Sequence, residues 1–167
     1  MSKLVKTMLD TLPESFRDTA LIRLFGLTKV PLIFFMRPKV IELNDKRCAV
    51  KVPLNRRTKN HLNSMYFGVL CAGADCAGGL SAMKQIMNSG KKVSLAFKEF
   101  NAKFLKRAEG DTVFVCEQGE EIKAFVEKVL ASEERHHMPV YIKAYCPDIS
   151  ETEVVAEFTL ELSLKKK

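Results

Sequence analysis

The chain has 167 residues, of which 47% are apolar and 28% are charged. These values exclude a fibrous or intrinsically disordered protein and predict a single globular domain over residues 1–167. The net charge of +7 favours anionic partners without choosing among nucleic acid, phospholipid and phosphorylated ligands. Every apolar run is far shorter than the roughly 20 residues that cross a bilayer, so we expect no membrane span.

The predicted elements begin with a helical cap over residues 1–30, in which apolar residues recur at a helical period on both sides of Pro13. Residues 32–36 then have the apolar, aromatic composition of a strand. Residues 39–43 and 48–52 read as two strands joined by a short turn, which predicts a hairpin.

A long helix is predicted at about residues 64–86. The strand that follows, at about residues 93–108, is long enough to predict strong curvature or a bulge. A strand at residues 112–116 and an amphipathic helix at about residues 120–132 come next. Two strands, at residues 140–145 and 154–164, close the chain. This order of helices and strands is typical of an α+β fold with an antiparallel sheet.

The long helix carries one carboxylate, Asp75, among Ala, Gly, Cys and Leu residues. An ionised carboxylate away from water is costly unless it is paired, so Asp75 either faces solvent or is held for chemistry. Three glycines, Gly73, Gly78 and Gly79, each cost about 1 kcal/mol relative to Ala in a helix interior. Close packing of a neighbouring sheet would offset that cost.

The five cysteines form an odd set without the spacing of a zinc or redox motif. This pattern predicts reduced thiols that serve as small buried hydrophobic residues in a cytoplasmic protein. The N-terminal residues lack the uninterrupted apolar segment of a secretory signal, so export is not expected.

Residues 60–79 resemble the motif of hotdog acyl-CoA thioesterases of the phenylacetate-pathway type. In that motif an Asn begins a loop, His-Gly-Gly opens a helix, and an acidic residue lies seven positions after the second Gly. Asn60, Gly68 and Asp75 match these positions, whereas Tyr66 and Phe67 replace the His and the first Gly. The departures are typical of a divergent branch of the superfamily.

The resemblance covers about residues 32–164 and implies the hotdog fold, in which a curved antiparallel sheet wraps around a long central helix. The N-terminal helices and the helix between the fourth and fifth strands are then additions to a minimal hotdog. The implied activity is hydrolysis of an acyl-CoA thioester, with no metal ion or redox cofactor and with CoA as part of the substrate.

The resemblance also implies site roles. Backbone N–H groups of Phe67 and Gly68 would stabilise the oxyanion, Asp75 would act as general base or nucleophile, and Asn60 would orient the water or the thioester. Asp75 lies two turns along the same helix, too far away to serve the same carbonyl. The resemblance implies that the site is built across a homodimer, and a tetramer is the alternative assembly. As alternatives to these catalytic roles, Asp75 simply faces solvent and Asn60 only caps a turn.

Candidate substrate contacts surround these residues. Tyr66 is a candidate hydroxyl donor, or an aromatic residue at the dimer seam. Arg56, Arg57 and Arg107 are candidates to bind the CoA phosphates, with ordinary solvated surface as the alternative. An apolar acyl tunnel between helix and sheet is expected, for which Phe97 is one candidate lining residue.

Two other functions remain open at this point. A non-catalytic acyl-CoA or fatty-acid-binding hotdog protein is favoured by the replacement of His-Gly by Tyr66 and Phe67. Binding of nucleic acid or an anionic membrane, driven by the positive charge, is the third hypothesis. No recognised nucleic-acid motif occurs in the sequence, so a nucleic-acid partner is not expected.

Overall fold

Four helices and six strands follow one another along residues 14–167, the part of the chain that the computed structural model describes. They are α1 (Glu14–Thr28), α2 (Pro31–Met36), β1 (Lys39–Leu43), β2 (Cys48–Val52), α3 (Phe67–Ser89), β3 (Val93–Phe104), β4 (Thr112–Cys116), α4 (Gly119–Leu130), β5 (His136–Cys146) and β6 (Ser150–Lys166). From β1 onward this is the predicted order. The predicted helical period before Pro13 lies outside the described residues.

The six strands form one antiparallel sheet in the order β1-β2-β4-β5-β6-β3. The register of β3 against β6 shifts between Phe97 and Phe100, which confirms the predicted bulge. Bulges bend a strand and increase its twist, so the long strands β3, β5 and β6 curve across the molecule. Among the described strands, β3 is the outer neighbour of β6 and leaves one edge unpaired.

The backbone of the central helix α3 is in direct contact with side chains of this curved sheet. A Cβ built on Gly73 would lie 2.3 Å from the ring of Phe114 in β4, so only glycine lets the ring reach the helix. At Gly78 the nearest neighbours of such an atom are Ile142 and Val140 of β5, at 3.2 and 3.5 Å. The predicted close packing between small-residue helix and sheet is therefore confirmed.

The core lies between α3, the sheet and α4. Strands contribute fully buried side chains at alternate positions, among them Leu160, Leu162 and Leu164 of β6. Helix α4 buries Ile122, Val126 and Val129 on one face, as expected for an amphipathic helix. No helix within residues 14–167 combines the length and the apolar character needed to traverse a bilayer.

The prediction of a strand at residues 32–36 is wrong, because these residues belong to helix α2 (Pro31–Met36). Pro31 stands in the first turn, where the missing N–H would have no helical partner in any case. Ile33 and Met36 are buried three positions apart, whereas Phe34 and Phe35 are exposed, which is the burial period of a helix. The helical segment before β1 therefore extends to Met36.

Candidate active site

The N-terminus of α3 presents two backbone donors that have no acceptor among residues 14–167. Tyr66 is the N-cap residue, and its side chain makes no capping hydrogen bond. Its carbonyl accepts hydrogen bonds from the N–H groups of Val69 at 2.9 Å and Leu70 at 3.0 Å. The preceding N–H groups, of Phe67 and Gly68, remain available at the positive end of the helix dipole, where they can stabilise a developing negative charge.

Backbone hydrogen bonds fix the position of this helix start. The N–H of Tyr66 donates to the carbonyl of Thr58, and the N–H of Met65 donates to the carbonyl of Ala108, both at 2.8 Å. Thr58 is fully buried, and its hydroxyl donates to the carbonyl of Pro53 at 2.6 Å. The segment between β2 and α3 is thereby tied both to the end of β2 and to the loop after β3.

Asn60 organises the turn that precedes the helix. Its Oδ1 accepts hydrogen bonds from the N–H groups of Leu62 at 2.8 Å and Ser64 at 3.3 Å. Its Nδ2 donates to the Ser64 hydroxyl at 3.1 Å. The polar atoms of Asn60 are thus engaged within the turn, which is the capping alternative; a role toward water or substrate stays a prediction. His61, in the same turn, is exposed.

Aromatic rings surround the helix start. Tyr66 and Phe67 are exposed, and their ring centroids are 4.7 Å apart. The ring of Phe67 also meets that of Phe104, at the end of β3, with centroids 6.4 Å apart. A Cβ on Gly68 would lie 2.7 Å from the ring of Tyr66, so the absence of a side chain at this position lets the tyrosine ring cover the first turn.

Asp75 lies on the wall of an apolar pocket of about 240 Å³, which we call the Asp75 pocket. Helices α1 and α2 contribute lining residues such as Phe25 and Ile33, α3 contributes Leu80, and β3 contributes Phe97. Within the described part of the chain, Asp75 is the one charged group in this lining. The pocket therefore pairs a long apolar wall with a single carboxylate.

The Asp75 side chain is half-buried, and burial raises the pKa of its carboxyl above the ordinary value. Burial is the one cause of the shift, because no hydrogen bond or ion pair to this carboxylate occurs among residues 14–167. Desolvation disfavours the charged form. An unpartnered carboxylate with a raised pKa is a stronger base than a solvated one, which suits proton abstraction from water.

The helix start and Asp75 lie on one side of α3 but are separated along it. The seven positions that separate Asp75 from Gly68 correspond to about 10 Å of helix. One carbonyl group therefore cannot contact both within a single copy. Both parts border the unpaired edge of β3, because Phe67 meets Phe104 at one end of that strand and Asp75 shares its pocket with Phe97 nearer the other.

The three candidate arginines are exposed and lie at separate places. Arg56 borders a surface hollow of about 500 Å³ together with Lys59, directly before α3. The guanidinium carbon of Arg57 lies 5.5 Å from the centroid of the Phe35 ring of α2. Arg107 borders a different hollow, of about 330 Å³, beside the β5–β6 turn. The structure thus groups Arg56 with the helix start and sets Arg107 apart.

Four of the five cysteines are not activated as nucleophiles. All five are free, and burial raises the pKa of Cys48 to about 12 and holds the pKa values of Cys71, Cys76 and Cys116 above their ordinary range. Raised values keep these thiols protonated at neutral pH. Among residues 14–167 no group of three or more His, Cys, Asp or Glu side chains is placed to hold a metal ion.

One part of the pocket was missed by the sequence reasoning. The helical cap is predicted only as an addition and residues 32–36 as a strand, yet Ile22 and Phe25 of α1 and Ile33 of α2 line the pocket together with Asp75. The available signal is the helical spacing of Ile22 and Phe25. That spacing indicates an apolar face without indicating which surface it covers.

Comparison with known proteins places this geometry in a family. The profile described as "Domain of unknown function (DUF4442)" matches residues 19–163. The chain belongs to this family. Its curved antiparallel sheet wrapped on a central helix is the hotdog fold. A search of curated proteins found no match.

Solved structures share the fold of this DUF4442 chain. A protein of unknown function from Chlorobaculum tepidum has a TM-score of 0.78 and 15% identity, with 92% of this chain and 97% of that chain covered. A Pseudomonas aeruginosa protein described as a probable thioesterase has a TM-score of 0.71 and 21% identity, with 93% and 97% covered. A thioesterase from Haemophilus influenzae has a TM-score of 0.64 and 13% identity, with 87% and 88% covered.

Proposed function

We propose that this DUF4442 protein is an acyl-CoA thioesterase that works as a homodimer, with Asp75 as the general base. The observation that carries the proposal is the unpartnered Asp75 carboxylate in the wall of an otherwise apolar pocket. A hydrolase for apolar acyl chains needs an apolar cavity with a base at its edge. Structural relatives described as thioesterases support the same reaction class.

The unpaired edge of β3 supports the dimer. This edge exposes Phe100 and Phe104, which are 43% and 48% accessible, and long unpaired apolar edges favour pairing with another strand. When two β3 strands pair antiparallel about a point midway between Phe97 and Phe104, Phe97 of each copy lies opposite Phe104 of the second copy. The α3 start of one copy then approaches Asp75 of the second, and the two halves of the site meet.

The proposed reaction begins when the thioester carbonyl oxygen accepts hydrogen bonds from the N–H groups of Phe67 and Gly68. Asp75 of the second copy removes a proton from water, and the water oxygen bonds to the carbonyl carbon. The oxyanion that forms is stabilised by the same two donors. Its collapse breaks the carbon–sulfur bond, and the departing thiolate takes the proton from Asp75, leaving the free acid and the thiol.

The surroundings fit the two ends of such a substrate. We propose that the acyl chain enters the Asp75 pocket, whose lining from α1, α2, α3 and β3 is apolar. Arg56, Arg57 and Arg107 are exposed at separate places, and each is a candidate to bind a phosphate group of CoA. The Tyr66 ring covers the helix start. The reaction as proposed requires only water and these groups.

Thiol release from short, medium, long and aromatic acyl-CoAs tests this function. We expect turnover by the native protein and a loss of about 100- to 10,000-fold in kcat for Asp75→Asn. Asp148→Asn, a carboxylate change in the exposed β5–β6 turn, is the matched control and retains full activity. Absence of turnover with every substrate class, or equal turnover by Asp75→Asn, would refute hydrolysis by Asp75.

A non-catalytic acyl-CoA or fatty-acid-binding protein is the second candidate. The engagement of Asn60 within its own turn favours it, because the polar group that the motif resemblance assigned to the water has other partners. In that case acyl-CoA raises the melting temperature of the native protein without thiol release. Asp75→Asn then keeps the same ligand-induced stabilisation, since only the apolar pocket is required.

A further inference from the structure

The helical segment before β1 exposes an apolar surface to solvent. Leu27, Val30, Leu32, Phe34 and Phe35, which we call the Phe34 surface, are between 37% and 57% exposed within nine consecutive residues. Large apolar side chains scattered singly on a surface are ordinary, but a group of this density marks an interaction site.

The fold prevents these rings from turning inward. Ile33 and Met36, on the opposite face of α2, already occupy the core and are 5% and 0% exposed. A Cβ on Gly26 would lie 2.6 Å from the backbone nitrogen of Phe34, so α2 rests directly on α1 at this point. The exposure of Phe34 and Phe35 is therefore a consequence of how α2 is docked.

The charged residues within this segment of the chain have one sign. Residues 19–41 contain four cations, Arg23, Lys29, Arg37 and Lys39, and no Asp or Glu. All four cations are exposed. Arg57 adds a fifth positive charge above the ring of Phe35. Apolar side chains interspersed with cations match the acyl boundary and the phosphate groups of an anionic lipid surface.

We propose that the Phe34 surface binds anionic phospholipid membranes. Leu32, Phe34 and Phe35 insert at the boundary between head groups and acyl chains, while Lys29 and Arg37 contact lipid phosphates. A second copy of the chain fits this surface poorly, because a twofold interface would bring a surface carrying only cations against another surface of the same charge. An anionic bilayer instead neutralises them.

The position of the surface gives membrane binding a use. Phe25 and Val30 are exposed at the outer side of the helical pair and also line the Asp75 pocket, to which Ile33 contributes from α2. An apolar chain leaving the bilayer at the Phe34 surface is therefore next to the pocket. Membrane binding itself does not depend on thioester hydrolysis and is tested separately from it.

Flotation of the full chain with lipid vesicles tests the proposal. We compare vesicles of phosphatidylcholine alone with vesicles of an equal mixture of phosphatidylcholine and phosphatidylserine. The native protein should float with the mixed vesicles, less with the neutral ones, and progressively less as salt screens the lipid charge. Failure to float with the mixed vesicles at low salt overturns the proposal.

Paired variants locate the binding surface. We expect Phe34→Ser/Phe35→Ser to lower the partition coefficient on mixed vesicles by about tenfold or more. Tyr141→Ser/Ile149→Ser removes two side chains that are 55% and 58% exposed on β5 and its turn, and should leave binding unchanged. Equal losses in both variants overturn the assignment, as does a change in sedimentation mass of Phe34→Ser/Phe35→Ser with lipid binding intact.

A charge variant keeps the test valid if the apolar variant unfolds. Lys29→Gln/Arg37→Gln changes two exposed side chains and should abolish the preference for mixed over neutral vesicles. Lys128→Gln/Lys143→Gln removes two positive charges at exposed positions on α4 and β5 and should preserve it. A preference that survives in the first pair contradicts the proposed docking face.

Discussion

The start of α3 and the Asp75 pocket, two regions of one helix, are held in opposite ways. Backbone hydrogen bonds from the N–H groups of Tyr66 and Met65 to the carbonyls of Thr58 and Ala108 tie down the helix start, and the N–H groups of Phe67 and Gly68 have no acceptor among residues 14–167. Packing of apolar side chains from four elements encloses Asp75, and no polar partner within residues 14–167 restrains it. In the proposed reaction, one region supplies fixed donors for an anion and the other supplies a base, and neither is sufficient alone.

After the loss of Asp75 itself, the largest expected effect comes from removing one donor at the helix start. Phe67→Pro deletes the N–H at the first helical position, where proline is tolerated, and Tyr66 already has φ −63° and ψ 136°, which suit a residue before proline. We expect kcat to fall about 100- to 1,000-fold while the melting temperature is maintained.

Phe67→Leu is the control for that change, because it removes the ring and retains the N–H. It should keep most of the activity. Equal losses in the two variants would mean that the ring of Phe67, and not its backbone donor, serves the substrate.

The helix that joins the two regions provides the next largest effect. Gly73→Ala places a methyl group 2.3 Å from the Phe114 ring, and overpacking of this kind costs about 1–3 kcal/mol of unfolding free energy. At Gly79 the nearest atom lies 3.6 Å away, so Gly79→Ala gains helix propensity and is expected to stabilise by up to about 1 kcal/mol. Urea unfolding of both variants measures the difference; destabilisation of equal size would contradict the close approach at Gly73.

The ionisation of Asp75 links stability to pH. Burial raises the pKa of this carboxyl in the folded protein, so the folded state binds more protons than the unfolded state, and stability falls as pH rises from the ordinary value of 3.8 through the raised one. Asp75→Asn should therefore raise the unfolding free energy at pH 7 by about 1 kcal/mol. The gain should vanish at pH values below 3.8.

Activity should show the reverse dependence on pH. The general base is the carboxylate, so kcat/KM rises with pH through the raised pKa of Asp75. A rate that is already constant from the ordinary pKa upward would show that this carboxylate is not the titrating base.

The smallest effect separates the two roles of Asn60. If the side chain serves the turn, Asn60→Ala lowers the unfolding free energy by about 1 kcal/mol and changes kcat/KM by less than about twofold. Paired measurements of chemical unfolding and thiol release distinguish this from a role toward water, for which kcat falls by much more than stability predicts.

The sequence predicted those parts of the fold whose patterns are local. The alternation in residues 39–43 and 48–52 predicts strands, and the one-sided apolar spacing of Ile122, Val126 and Val129 predicts a helix. The same reasoning fails for α2, because a run of six apolar residues is too short for its periodicity to distinguish a helix from a strand. There the docking of Ile33 and Met36 onto the core decides the conformation.

The candidate site divides in the same way. Asp75 could be identified from the sequence, because a carboxylate among small apolar residues is costly to bury unless it is paired or hydrogen-bonded. The wall opposite it, with Phe25 and Ile33, depends on how α1 and α2 pack onto α3, a contact between distant segments that local periodicity does not encode. The engagement of Asn60 by Leu62 and Ser64 depends on turn geometry in the same sense.

Subunit complementation tests most directly whether the two regions combine across copies. Asp75→Asn and Phe67→Pro subunits, each inactive alone, are unfolded together, refolded and assayed for thiol release. Random reassortment makes half of the dimers mixed, and each mixed dimer has one intact site, so activity should recover to about a quarter of the native value. A mixture no more active than its separate components would show that the donors and the base act within one copy, or not together at all.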